Sequence, residues 1–374
     1  PWPKIPAYTF SIAVPPGAGA GCQDSRIMGS SCPRGLIARF QRGACRGVLF
    51  ALAMGASAIA AATSTTGAVT QQSLDDAWWT GPLLAASPGT LPRGHWLFEP
   101  YFFDVMTYGH FDRNRTSRST GAAHELGNQS YIEYGLVDGF TLGLIPRLGF
   151  HESAAGQGSS GFAVGDITLQ GAYGLTQFRP GSWIPTTSLV IGETFPTGKY
   201  DRLSGPTDGA LGSGAYSTTL SLYSQTYFWM PNGRILRTRL DLSYQVSQWA
   251  SVHDVSVYGT PAGFEGRAHP GPSLFGDLAF EYSATQNWVL ATDVWWEHDG
   301  NTRVQGSYAP SGVASIMSAF SALDSGSGDL LYLAPAVEYN WNARMGVIAG
   351  ARIAAAGRNT TATATPVAAI NMVF

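Results

Sequence analysis

No run of apolar residues in this 374-residue chain reaches the roughly 18 needed to cross a bilayer as a helix. Long stretches with helical periodicity are missing too, so a bundle of membrane helices is excluded. Charge is scarce: Asp, Glu, Lys and Arg make up 13% of the residues, and the formal net charge is −3. That balance gives no reason to expect nucleic acid as a partner. Cysteine is nearly absent, with only Cys22, Cys32 and Cys45, all before residue 46. Beyond that point no disulfide framework can staple the fold.

What the chain does have is glycine (46 residues), aromatics (12%) and, in its last hundred and fifty or so residues, runs that alternate apolar with polar up to a terminal Phe374. In RILRTRLDLSYQVSQW, Leu236, Leu240, Leu242, Tyr244 and Val246 share one parity. Arg237, Arg239, Asp241, Ser243, Gln245 and Ser247 share the other. A strand sends these two sets to opposite faces. One face suits hydrocarbon and the other water, the pattern of a strand in a transmembrane barrel.

The N-terminal part reads differently. Residues 1–27 are Gly/Ala/Pro-rich low-complexity material before Met28, an upstream extension that is expected to be non-native. Residues 28–62 are expected to be a signal peptide, with basic Arg39, Arg42 and Arg46, an apolar stretch over 47–61, and small Ala58, Ala60 and Ala62 suited to cleavage. Cys45 precedes the apolar stretch, the wrong side for a lipoprotein acceptor. Residues 63–95 then form a periplasmic segment, and 96–374 the barrel, placed in the outer membrane of a Gram-negative cell.

Alternation marks twelve strands, at about 96–108, 123–136, 139–149, 162–175, 183–196, 214–230, 235–249, 272–284, 287–298, 329–340, 343–356 and 363–374. Each reaches the roughly 9 to 11 residues that a tilted crossing needs. Tight turns rich in Gly, Asn and Pro join every second pair, at 137–139, 231–233, 285–287 and 340–342, with QFRPGS slightly longer. The other connections are long (109–122, 150–161, 197–213, 250–271, 299–328), with a shorter one at 357–362. The expected fold is therefore all-β, a transmembrane antiparallel barrel of about twelve strands with short periplasmic turns and long extracellular loops.

Parity sends Leu274, Leu278, Phe280, Tyr282, Trp288, Leu290, Val294, Trp296, Ile370, Met372 and Phe374 outward to lipid. Trp288 and Trp296 near opposite strand ends suit two aromatic girdles. The lumen-lining candidates are Glu99, Glu133, Arg147, Asp166, Arg237, Arg239, Asp241, Asp277, Glu281, Asp293, Glu297, Glu338, Arg344 and Arg352. An arginine facing lipid at mid-height would cost roughly 2 to 4 kcal/mol, which forces this choice of face. A twelve-stranded lumen is narrow, so what fills it matters. Trp78, Trp79, Leu83 and Leu84 in the Pro/Gly-rich 75–94 are plug candidates, and Ile316, Met317 and Phe320 in a short helical pattern at 313–323 are lid candidates. The partners expected are outer-membrane lipid, a small organic solute, and the barrel-assembly machinery reading the Phe374 strand.

Other motifs carry little. GQGSSG at 156–161 fits G-x-G-x-x-G but leads into a strand, so a phosphate would lack its helix N-terminus. GETFPTGKY has one spacer too many for a phosphate loop, and Tyr200 stands where a magnesium-holding Ser or Thr belongs. None of the seven histidines has a ligand at helical zinc spacing, so neither metal nor cofactor is expected. The chain is read as a non-enzyme. A barrel hydrolase pairing Ser and His across strands, and a structural or surface-interaction barrel without transport, are the alternatives.

Four segments, LPRGHWLFEPYFFD, YGLVDGFTLGLIPRLGF, FAVGDITLQGAYGL and TFPTGKYD, resemble the transporter-like outer-membrane barrel family named for the MetA-pathway (meta-pathway) of phenol degradation. The likeness is strongest over 91–201 and implies a barrel channel or facilitator for passive uptake of small aromatic or otherwise hydrophobic organic compounds. It also implies that Glu99, Asp166, Pro196, Thr197 and Gly198 are recurring positions, and it carries over no catalytic residue.

Overall fold

The computed structural model describes residues 69–152, 161–204, 210–308 and 318–374. The extension at 1–27, the signal peptide at 28–62, and Ile316 and Met317 lie outside the described residues.

Alternating sequence becomes a closed antiparallel sheet. In chain order its strands are β1 (Trp96–Phe111), β2 (Ser117–Val137), β3 (Phe140–Ile145), β4 (Arg147–Glu152), β5 (Ala163–Val164), β6 (Ile167–Thr176), β7 (Thr186–Phe195), β8 (Ser217–Trp229), β9 (Ile235–Ser247), β12 (Ser273–Ser283), β13 (Trp288–Asp299), β16 (Gly328–Asn342), β17 (Met345–Arg358) and β18 (Thr360–Val373). β1 pairs with both β2 and β18, which closes the cylinder. These fourteen strands make twelve staves because two staves are split. Pro146, which has no N–H to give a ladder, divides β3 from β4, and Gly165 with Asp166 divides β5 from β6. Closure leaves no open edge, as hydrocarbon requires.

The faces follow parity. Leu240, Leu242, Tyr244 and Val246 are exposed on the outside of β9, while Arg237, Arg239 and Asp241 between them are buried. Leu274, Leu278, Trp288, Leu290, Val294, Trp296, Ile370 and Phe374 are likewise exposed on the outer wall. At the short-turn rim, Trp288 packs on Tyr339, and Tyr339 on Trp341, with ring centroids 4.8 and 5.5 Å apart. The turn after β2 uses Gly139 and the one after β8 uses Gly233, with φ of 82° and 77° that a side chain would oppose.

Three connections differ from expectation. β1 and β2 stay paired to Phe111↔Ser117, past a register shift at Thr107/Gly109, so the expected loop 109–122 shrinks to a tip at 112–116. The link 357–362 shrinks to Asn359, at φ 53°. The regions 250–271 and 299–328 contribute a second sheet of β10 (Ala250–His253), β11 (Phe264–His269), β14 (Arg303–Tyr308) and β15 (Ser318–Asp324). The helix expected over 313–323 is therefore corrected: the described part, with Phe320 in it, is a strand on β14, pairing Leu323 with Val304 and Ser321 with Gly306. A lone short helix is marginal in water, whereas a neighbouring strand edge pays its backbone hydrogen bonds at once.

Candidate functional site

Period-two alternation delivers charge to the lumen, and antiparallel register decides which charges meet. Arg237 lies opposite Glu281, and Asp241 opposite Asp277. Arg237 makes a two-pronged contact with Glu281, its Nε donating at 2.6 Å and its Nη2 to the other oxygen. Arg239 Nε approaches the same carboxylate at 3.5 Å and donates to Gln225 Oε1 at 2.9 Å. All three charged side chains are fully buried.

Down the middle of these groups runs the segment that precedes β1. Gln72 ties it to the short-turn rim: its N–H donates to Gly233 O at 2.9 Å, and its carbonyl accepts from Trp229 Nε1 at 2.8 Å. A single 3-10 turn, Leu74–Asp76, follows. The chain then enters the lumen, and residues 79–88 are buried without a break. Pro and Gly keep this stretch irregular, so its backbone N–H groups have no partners of their own. The lumen carboxylates supply them. Glu338 Oε2 accepts from Thr80 and Gly81 at 2.6 and 3.0 Å. Asp293 accepts from Leu83, Leu84 and Ala85 at 3.1, 3.2 and 2.9 Å. Asp241 accepts from Ala86, and Arg239 Nη1 donates to Ala85 O at 2.9 Å. Consecutive N–H groups turned on one carboxylate form an anion nest inverted in its roles, with the wall as the anion. The segment returns to the rim it entered by: Leu91 N–H donates to Thr141 Oγ1 at 2.7 Å and Arg93 N–H to Asp138 Oδ1 at 3.1 Å.

Apolar contacts fill the rest. Leu83, Leu84, Ala86 and Leu91 share a buried cluster with Tyr101, Tyr131, Phe275, Trp295 and Ile348 from the wall. Trp79 joins Ala77, Ile235 and Val289, and the Arg237 guanidinium lies 4.4 Å over its ring. Trp78 sits lower, its N–H donating to Gln286 O at 3.1 Å and its carbonyl accepting from Asn340 Nδ2 at 3.1 Å.

The remaining sequence-predicted residues divide. Glu99, Glu133 and Asp277 are buried inside the wall, Glu133 accepting from Gln170 Nε2 at 3.1 Å. Glu297 accepts from Trp295 Nε1 at 3.4 Å, and Arg352 lies 4.7 Å over the Tyr332 ring. Arg147 pairs with Glu125. Asp166 does not stand in the lumen alone but ties two rim segments together, accepting from Gly198 N–H at 2.9 Å and from Ser213 N–H and Oγ at 2.8 and 2.7 Å. Arg344 is exposed in the turn between β16 and β17, where alternation no longer assigns a face, so it is not a lumen residue. Reading by parity missed Gln72, Thr80 and Asn340, which fasten the segment, and Gln225, which accepts from Arg239 Nε.

The histidines lie toward the opposite rim or in turns: His124 contacts Asp104 at 3.1 Å, His253 Asp201 at 3.1 Å, and His298 Asp329 at 2.7 Å. Among the described residues no group of three or more His, Cys, Asp or Glu is placed to hold a metal ion.

Comparison with known proteins follows the same lines. No curated protein matches the sequence. Among solved structures, an outer membrane channel from Pseudomonas putida F1 superposes with a TM-score of 0.55 at 15% identity, covering 77% of this chain and 98% of that one. The β domain of the Bordetella autotransporter BrkA gives 0.41 at 12% identity, covering 75% and 100%. A TodX monoaromatic hydrocarbon channel mutant gives 0.34 at 11% identity, covering 82% and 97%. The family described as "Putative MetA-pathway of phenol degradation" matches residues 108–367. That span is well over half of the chain, so the protein belongs to this family and is an outer-membrane β-barrel.

Proposed function

We propose that the barrel is a channel or facilitator for passive uptake of small organic compounds, aromatic and other hydrophobic molecules included, and that the segment before β1 is its gate. The observation that carries this reading is how the segment is held. Six consecutive or nearly consecutive backbone N–H groups rest on Glu338, Asp293 and Asp241. A purely structural filler would gain more from apolar packing alone, because a buried charge carries a desolvation cost that only complete pairing offsets. A polar latch can exchange protein partners for water and let the chain move. The apolar residues along it, Leu83, Leu84 and Leu91 against Tyr101, Phe275 and Trp295, give a passing hydrophobic solute a compatible wall. Membership of the family, and the name "channel" borne by the Pseudomonas putida relative, agree with this reading.

The test is solute entry into liposomes. Asp293→Ala leaves three N–H groups without their acceptor, at roughly 1 to 3 kcal/mol each if they stay buried. The variant is expected to admit small aromatic solutes faster than the wild type, with Glu338→Ala adding to the effect. Equal and negligible entry through wild type and double variant would remove transport as the function.

A further inference from the structure

The carboxylates of the lumen are not equally provided for. Glu281 meets two arginines, and Asp241, Asp293 and Glu338 accept backbone N–H groups. Arg239 lies near Asp277, and Arg352 near Glu297. Glu133 differs. It is fully buried, its Oε1 takes one neutral donor, Gln170 Nε2, and its Oε2 has no hydrogen-bond partner among the described residues. The charge beside it is another carboxylate, that of Glu99.

Register explains the meeting. Glu99 of β1 lies opposite Tyr131, and Glu133 is two places along β2 on the same face, so the two acids are diagonal neighbours. Gly143 of β3 lies opposite both Glu133 and Gln170 of β6. A Cβ there would come within 2.7 Å of Gln170 Cγ and 2.8 Å of its Nε2. The missing side chain is what lets the Gln170 amide lie across β3 and reach Glu133. Gln170 is 3% exposed, and its carbonyl Oε1 has no hydrogen-bond partner among the described residues, although the same amide head sits against Glu133. Two residues below, a Cβ on Gly135 would collide with the Pro92 carbonyl, so the segment returning to the rim passes directly under these acids.

Two buried carboxylates side by side need either a shared proton or a cation. The unused amide oxygen decides between them. A proton shared by Glu99 and Glu133 leaves Gln170 Oε1 buried without a partner, whereas a cation takes it as a third ligand. Oxygen donors alone, two of them acidic and with no arginine among them, suit a hard divalent ion.

We infer that Glu99, Glu133 and the Gln170 carbonyl oxygen form a binding site for a hard divalent cation, calcium being the ion that fits. Calcium accepts irregular oxygen ligands and gives up water more readily than magnesium, as a fully buried site demands. The site rests on the wall alone and holds whether or not the barrel conducts. An ion there neutralises the wall at the level where the segment turns back to the short-turn rim.

The full chain, folded in detergent and freed of metal by a chelator, is titrated with terbium, whose emission under tyrosine excitation reports an ion near Tyr131, the register partner of Glu99. Wild type is expected to give emission that calcium reverses, and calcium to raise its unfolding midpoint. Glu133→Gln and Glu99→Gln each remove a charged ligand with little change of shape, and are expected to weaken terbium binding about a hundredfold. Gln170→Met, which removes a neutral ligand, is expected to weaken it about tenfold. Asp277→Asn, elsewhere in the lumen, is expected to bind like wild type. Heat-dependent migration on gels checks that each variant is folded, and should one acid variant fail to fold, the other and Gln170→Met still decide. Absence of both calcium-reversible emission and stabilisation in wild type overturns the inference and leaves the two acids a shared proton. Undiminished binding in Glu133→Gln overturns it as well. So does a loss in Asp277→Asn as large as in Glu133→Gln, since the ion would then belong to the acidic lumen at large.

Discussion

At the scale of single residues, the lumen turns on pairing rather than on charge count. Arg237 and Glu281 are both fully buried and joined by two hydrogen bonds. Removing one partner of such a pair typically costs about 3 to 5 kcal/mol, while replacing both by apolar groups of similar volume is often neutral. Glu281→Leu is therefore expected to lower the urea midpoint of the barrel in lipid much more than Glu281→Leu with Arg237→Met, and equal loss in the two would assign the effect to packing. Outside the membrane, Asp112 caps the β1–β2 tip, accepting from Thr116 N–H at 2.9 Å and Asn114 N–H at 2.8 Å. The Thr116 N–H, with the Asn114 N–H and Arg118 beside it, holds its carboxyl below the usual carboxylate range. A depressed pKa means that the unfolded tip takes up the proton first. The cap's contribution is thus present above the ordinary carboxylate range and disappears as pH falls through the depressed value. The protection of the Thr116 amide, measured against its intrinsic exchange rate at each pH, is expected to fall on that acid limb and to be low at all pH in Asp112→Ala. Protection that stays constant on acidification would mean that the tip is held by its strands alone.

At the scale of elements, alternation alone located all twelve staves, because lipid on one side and water or protein on the other impose period two on every crossing. The extracellular sheet was not legible, since its strands of four to seven residues alternate against packed loops instead of lipid. VASIMSAFSAL reads equally as a helix stripe, and for its described part, from Ser318 on, the free edge of β14 decides against it. The segment before β1 stood out by composition, through Trp78, Trp79, Leu83 and Leu84, but its fastening was not legible: irregular backbone has no period, and the groups it offers are backbone N–H groups that every sequence has. Pro196, Thr197 and Gly198 were legible as a strand end, and the structure adds a reason for glycine. A Cβ on Gly212 would lie 2.2 Å from Gly198 O, so the two rim segments that Asp166 ties together pass in backbone contact. Gly212→Ala is expected to part them and expose the rim to limited proteolysis, whereas Gly192→Ala, with its nearest neighbour at 3.5 Å, should leave the digestion pattern unchanged. Matching patterns for both variants would show that the close approach has slack.

At the scale of the whole molecule, the wall and its contents are separable in a way that a soluble core is not. The ladder from β1 round to β18 closes through backbone hydrogen bonds that none of residues 71–94 supplies. Deleting those residues should therefore leave a folded barrel, seen as heat-dependent migration on gels. It should also lower the unfolding midpoint, because Leu83, Leu84, Ala86 and Leu91 leave the buried cluster and the carboxylates lose their N–H partners. Losing four buried apolar residues that pack against Tyr101 and Trp295 removes several kcal/mol at roughly 1 to 3 kcal/mol per larger side chain. The same deletion is expected to open the lumen, since the space the segment leaves runs from the short-turn rim to the level of Asp241 and Asp293. Water would then reach Asp277, Glu338 and Arg239, and small solutes should cross in liposome assays faster than through wild type, with a steep fall as solute size grows, as a twelve-stranded bore dictates. The two readouts separate the possibilities. A deletion that stays folded, loses stability and conducts identifies the segment as gate. One that stays folded and sealed places the barrier in the wall's own inward side chains, above Asp293, where Arg352, Tyr332 and Glu297 cross the bore.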